Sequence, residues 1–109
     1  MFALCPRQWT PVLPLPELRE GLTPVVAAGE RLVAFRDAGG QPRVLVDRCP
    51  HRFAALSLGE LTPEGEVRCR YHGWRFDGAG ACRRVPLNDL NAAALARIRV
   101  PAVPARALA

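Results

Sequence analysis

Four side chains in this sequence are of the type and spacing that bind a metal. Cys49-Pro50-His51 is followed further along by Cys69-Arg70-Tyr71-His72, an order of C-x-H and then C-x-x-H. Thiolate and imidazole are the soft and borderline donors that hold iron or zinc against water. One Cys and one His from each of two stretches could close a tetrahedral zinc site or hold an iron centre. Zinc fingers generally place C-x2–4-C beside H-x3–5-H, and the mixed pairs here depart from that spacing. A visible spectrum separates the two readings, since a zinc site is colourless.

The elements that must position these ligands read as a β scaffold. Residues 23–28 carry Val25 and Val26, residues 30–36 carry Leu32, Val33 and Phe35, and residues 43–47 carry Val44, Leu45 and Val46. β-Branched residues dominate and no long 3.6-residue period occurs. This predicts short antiparallel strands in a small sandwich or barrel. Asp37-Ala38-Gly39-Gly40-Gln41-Pro42 predicts a hairpin between the last two runs. Residues 48–58 form a loop that Pro50 stiffens, and residues 61–66 a turn. Val67 and Arg68 lead into Cys69, residues 74–76 return as a strand, and residues 77–80 turn again. Gly73 would let the backbone approach a bound group. The expectation is an all-β fold whose ligand-binding subdomain, about residues 47–84, is made of two hairpin loops with one Cys and one His at each tip.

Outside that core the pattern is weaker. Residues 8–13 read as an edge strand, because Pro11 cannot donate to a ladder. Residues 15–21 read as one helical turn stopped by Gly21, and residues 85–87 as extended chain. Residues 91–96 read as a turn of helix capped by Asn88 or Asp89, and residues 98–100 as a strand. Cys5 falls in a loose N-terminal segment and takes no role. Cys82, after a Gly-rich turn, is expected to be a small buried residue rather than a ligand.

Composition bounds the function. The 109 residues suffice for one domain, residues 1–109. A chain this short buries only about two thirds of its unfolded surface, so a metal tying distant loops together would add stability. Half of the residues are hydrophobic, which argues against disorder. The net charge is +5, with fifteen Arg and no Lys. These Arg are interspersed with acids and form no block, which gives nucleic-acid binding no footing. The apolar start is cut short by Pro6 and Arg7, so no secretory signal is read. No stretch approaches the roughly 18 apolar residues of a membrane span. A cytoplasmic, reducing compartment is expected, where paired Cys bind metal rather than each other.

Beyond the ligands themselves, Cys49-Pro50-His51-Arg52 and Cys69-Arg70-Tyr71-His72-Gly73-Trp74-Arg75-Phe76-Asp77-Gly78 resemble the cluster-binding loops of Rieske iron–sulfur proteins, above all those of Rieske non-haem iron oxygenases. The resemblance implies one Rieske-type [2Fe–2S] cluster, with Cys49 and Cys69 on one iron and His51 and His72 on the other. Such a protein is red-brown. This sequence departs from relatives at Ala55, where a Pro is common. Respiratory members place disulfide cysteines where Ala54 and Tyr71 stand here, and hydrogen-bonding Ser and Tyr where Trp74 and Phe76 stand. Fewer donors to the cluster sulfurs stabilise the reduced state less. The expected potential is therefore about −150 to 0 mV, the low end of a Rieske range of roughly −150 to +300 mV.

The same resemblance implies a role. The chain would be the electron-delivering domain of a Rieske oxygenase of the aromatic-ring hydroxylating or demethylating type. A reductase or ferredoxin would be the donor, and a mononuclear-iron catalytic domain the acceptor, with no nucleic acid or membrane partner. Oxygen activation in that family needs a second iron on two His and a carboxylate. The chain has two His in all, both assigned to the cluster, so no catalytic residue is expected here. A stand-alone Rieske ferredoxin and a non-redox, metal-stabilised binding module are the competing readings. Relatives continue into a further closing strand, so an unpaired sheet edge is expected. Arg48, Arg52, Arg68, Arg70, Arg75, Arg83 and Arg84 lie in or beside the ligand stretch. They form either a solvated surface or a rim that attracts an acidic redox partner.

Overall fold

Burial along Glu30–Arg36 explains the layering. Leu32, Val33, Ala34 and Phe35 are all buried, so both faces of this strand are covered. Side chains alternate along a strand, which sends Leu32 and Ala34 into one core and Val33 and Phe35 into another. The neighbouring strand Pro42–Val46 divides likewise, with Val44 in the first core and Leu45 in the second. The computed structural model describes residues 2–4, 9–12, 21–27, 29–50, 54–70, 73–84 and 98–106.

In chain order the strands are β1 (Phe2–Leu4), β2 (Trp9–Pro11), β3 (Thr23–Ala27), β4 (Glu30–Arg36), β5 (Pro42–Val46), β6 (Glu60–Leu61), β7 (Val67–Arg68), β8 (Arg75–Phe76), β9 (Cys82–Arg84), β10 (Ala102–Val103) and β11 (Ala105–Arg106). A 3-10 turn at Leu56–Leu58 precedes β6. Among the described residues the pairing is antiparallel throughout and gives three sheets. A central sheet has the order β10-β5-β4-β3, an end sheet β11-β1-β2, and a loop sheet β6-β7-β8-β9. The core of Leu32, Ala34 and Val44 takes Ala3 and Ala105 from the end sheet. The core of Val33, Phe35 and Leu45 takes Val67, Phe76 and Cys82 from the loop sheet. The all-β expectation holds, and the strands at residues 23–28, 30–36 and 43–47 lie within one residue of their expected bounds.

Three hairpin tips share one chemistry. In residues 37–41, 62–66 and 77–81 the first residue's amide donates to the fifth residue's carbonyl, and the fourth residue's amide donates back to the first carbonyl. That fourth residue is Gly40, Gly65 or Gly80, each at positive φ, as a three-residue loop with a glycine bulge requires. Asp37, Thr62 and Asp77 also accept, through a side-chain oxygen, the amide of Gln41, Glu66 and Ala81. Gly65 sits hard against the first of these tips, since a Cβ there would lie 2.3 Å from the Ala38 amide nitrogen.

Other differences from the sequence reading come from long-range pairing. Phe2–Leu4 is a strand rather than loose chain, because Ala3 faces Ala105 across the end sheet. Ala102 and Val103 lie on Leu45 and Val44, so that edge of β5 is covered. Pro11 and Pro24 both fall in edge strands, where a missing donor is tolerated. Around residues 98–100 an isolated bridge joins Arg99 to Ala81, and the Val100 amide donates to Gly80. The expected helical turn before Gly21, the extended residues 85–87, the helix at 91–96 and Cys5 lie outside the described residues. No helix among the described residues is long and apolar enough to cross a membrane.

Candidate metal centre

The central and loop sheets meet over one core, and two of the four candidate ligands are part of it. Cys49 is 1% exposed and Cys69 3%, and both pack with Phe35, Leu56, Val67 and Phe76. His51 and His72 lie outside the described residues. Among the described residues no set of three or more His, Cys, Asp or Glu is gathered for a metal. What the structure shows is both thiols buried in one core. Neither is in a disulfide, and nor is the buried Cys82.

Each thiol opens a loop pinched in the same way. The Cys49 amide donates to the Ala54 carbonyl at 2.7 Å, and the Cys69 amide donates to the Trp74 carbonyl at 2.7 Å. Both bonds span residue i to residue i+5, so each encloses one Cys and one His of the motif. The frames differ. Cys69 and Trp74 stand at the loop end of the β7–β8 hairpin, with Arg68 facing Arg75 at its mouth. Residues 48–56 cross from β5 in the central sheet to β6 in the loop sheet. Gly73 has φ 69°, a left-handed conformation that favours glycine.

Sequence reasoning overlooked three residues that shape these loops. Asp47 accepts the Ser57 amide at 2.7 Å on one carboxylate oxygen and the Ser57 hydroxyl at 2.6 Å on the other. Gly59 lies against the second loop so closely that a Cβ would stand 2.0 Å from the Arg68 carbonyl oxygen. No single-residue pattern signals either contact, because each joins segments that fold brings together. Beside Gly59 an open hollow of about 390 Å³ reaches Cys69, with Leu58, Arg70 and Gly73 on its walls.

The described arginines do not all lie beside the ligand loops. Arg48 and Arg70 are exposed beside the ligand loops, and Arg68 pairs with Glu60. Arg83 instead stands 3.8 Å from Glu66, at the tip end of the loop sheet. At that end the Arg43 guanidinium donates to Asp37 at 2.8 Å. This bond, aided by the Gln41 and Gly39 amides against partial burial, holds the Asp37 carboxyl below the usual carboxylate range.

Two buried thiols in one core, outside any disulfide and each heading a loop of equal span, are a donor pair suited to an iron–sulfur group. Comparison with known proteins agrees. The family described as "Rieske [2Fe-2S] domain" matches residues 8–100. The 3-chlorobenzoate-3,4-dioxygenase oxygenase subunit of Comamonas testosteroni is 43% identical over 88 residues, covering 79% of this chain and 20% of that protein. The 5,5'-dehydrodivanillate O-demethylase oxygenase subunit of a Sphingobium species is 37% identical over 112 residues, covering 99% of this chain and 26% of that one. The crystal structure of dicamba monooxygenase with non-haem iron and dicamba superposes with a TM-score of 0.76 at 34% identity, over 85% of this chain and 28% of that one. The chain thus covers 20%, 26% and 28% of the length of these three proteins.

Proposed function

The chain belongs to the Rieske [2Fe–2S] domain family, and we propose that it is the electron-delivering domain of a Rieske non-haem iron oxygenase. In this reading residues 1–109 form one domain, with a cluster-binding part at about residues 47–84. Cys49 and Cys69 hold one iron, and His51 and His72 the other. The observation that supports it best is the matched pair of pinched loops, each headed by a buried thiol. Bound there, a [2Fe–2S] group supplies one-electron transfer, and neutral imidazoles in place of two thiolates raise its potential above that of all-Cys clusters.

The chain's own residues exclude water and fix donors. Leu56, Val67 and Phe76 wall the sulfurs from solvent on the core side. The Ala54 and Trp74 carbonyls hold the Cys49 and Cys69 backbones. Phe76 is fully buried and carries no hydrogen-bond donor, which favours a potential at the low end of the Rieske range. An oxygen-activating iron would draw its ligands from outside these 109 residues, because both His are committed to the cluster. The electron donor in this reading is a reductase or ferredoxin, and the acceptor a mononuclear-iron catalytic domain.

The test is reconstitution with iron and sulfide, then EPR of the dithionite-reduced protein. A rhombic [2Fe–2S] signal in the wild type that is absent from Cys49→Ser and from His72→Ala supports the assignment. A wild type that stays colourless and silent, or a His72→Ala protein with an unchanged spectrum, refutes it.

A further inference from the structure

We infer that Asp47 is the positioning residue of the first cluster loop, acting through Ser57 rather than on the cluster. This rests on the proposed ligand roles of Cys49 and His51. The second loop has its mouth set by a ladder, since β7 and β8 pair directly beside it. The first loop joins strands of different sheets, so no ladder ties its two ends. A side chain ties them. Asp47, directly after β5, accepts both the amide and the hydroxyl of Ser57, directly after Leu56, at 2.7 and 2.6 Å. Both bonds are part-buried and end on a carboxylate, a class roughly twice as strong as neutral pairs.

The clasp is anchored at each end. The Asp47 amide donates to the Arg31 carbonyl at 3.0 Å, which fastens it to β4. Leu56 is fully buried in the core that holds the thiols, which fastens the Ser57 side. Between these anchors the Cys49 amide also pinches the loop, by its bond to the Ala54 carbonyl. Without the clasp the two ends of the segment carrying Cys49 and His51 lose their side-chain tie and depend on the Cys49–Ala54 bond and the packing of Cys49 and Leu56. The carboxylate therefore does for the first loop what strand pairing does for the second.

The experiment compares reconstituted wild type, Asp47→Ala, Asp47→Asn and Ser57→Ala. Cluster loss to an iron chelator is followed by absorbance, the reduced cluster by EPR, and the fold by circular dichroism. Asp47→Ala should lose its cluster about tenfold faster, the lower end of what loss of the residues supporting a metal site costs, with shifted g values and an intact β spectrum. Asp47→Asn keeps an oxygen for the Ser57 amide and should restore the wild-type EPR signal. Ser57→Ala keeps the amide bond and should fall between. An Asp47→Ala protein with wild-type g values and release rate overturns the inference. Should Asp47→Ala fail to fold, Ser57→Ala decides, and a wild-type release rate there overturns it equally. A wild type without a rhombic signal instead brings down the ligand assignment, and this inference with it.

Discussion

Replacing Gly59 by Ala adds one methyl group and should cost the protein most of its bound iron. The backbone at Gly59 has φ −84°, so left-handed strain plays no part. The methyl would stand 2.0 Å from the Arg68 carbonyl oxygen, 3.0 Å from the Arg68 carbonyl carbon and 3.2 Å from the Arg70 amide nitrogen. These are backbone atoms on either side of Cys69, and Glu60 pairs with Arg68 in the adjoining ladder. Real Cβ contacts essentially never fall under 3.0 Å, so the two segments must part by about 1 Å. Overpacking of this kind costs about 1–3 kcal/mol, and each ladder hydrogen bond lost adds about 1 kcal/mol. A total of about 3 kcal/mol corresponds to a melting point lower by roughly 12–24 °C in a domain near this size. Calorimetry and iron and sulfide content after gel filtration measure both effects. Two other glycines calibrate them. Gly39→Ala meets nothing nearer than 3.5 Å and should stay within about 0.5 kcal/mol of wild type. Gly29→Ala meets nothing within 4 Å but has φ +77°, so it should cost about 1 kcal/mol and leave the iron in place. A Gly59→Ala protein that melts like Gly39→Ala with full iron refutes the close approach of residue 59 to the second loop.

Four further outcomes are expected. Phe76→Ala empties a fully buried position in the thiol core and should cost about 3–5 kcal/mol, read from urea unfolding. The depressed Asp37 pKa means that its contribution to stability is present above the unfolded carboxylate pKa and is lost as pH falls through the lower folded value. Acid unfolding of Asp37→Asn should lack that component, and identical acid profiles would contradict it. Redox titration should place the midpoint at about −150 to 0 mV, and a value above about +150 mV would contradict the donor-poor surroundings. Electron transfer from a protein donor should slow steeply with added salt if Arg48 and Arg70 steer docking, and a flat response removes that role.

Much of this was legible in the sequence because it is local. Val, Leu and Phe between turn signals marked β3, β4 and β5, and the turn residues at 37–42, 61–66 and 77–80 marked all three tips. The ligand motif was legible for the same reason, being two short spacings of distinctive residue types. What escaped depends on distant partners. Three residues at Phe2–Leu4 carry no period and become a strand only opposite Ala105. Leu32, Val33, Ala34 and Phe35 read as hydrophobic without disclosing that they feed two cores. Asp47 and Ser57 are ordinary loop residues until the crossing between sheets leaves a gap for a carboxylate to span. Arg83 read as a neighbour of the ligands because it is near in sequence, whereas β9 carries it to the opposite tips.

β4 divides its side chains between two interiors, and among the described residues only one of them contains sulfur. The interior built on Leu32, Ala34, Val44 and Ala3 owes none of its packing to iron. Stripping the metal would loosen one half of the protein directly and reach the other along the shared strands and through Val46, which packs against both cores. Amide exchange in the cluster-free protein should therefore quicken at Val67 and Phe76 while Leu32 and Val44 stay shielded, a half-melted molecule waiting for its metal.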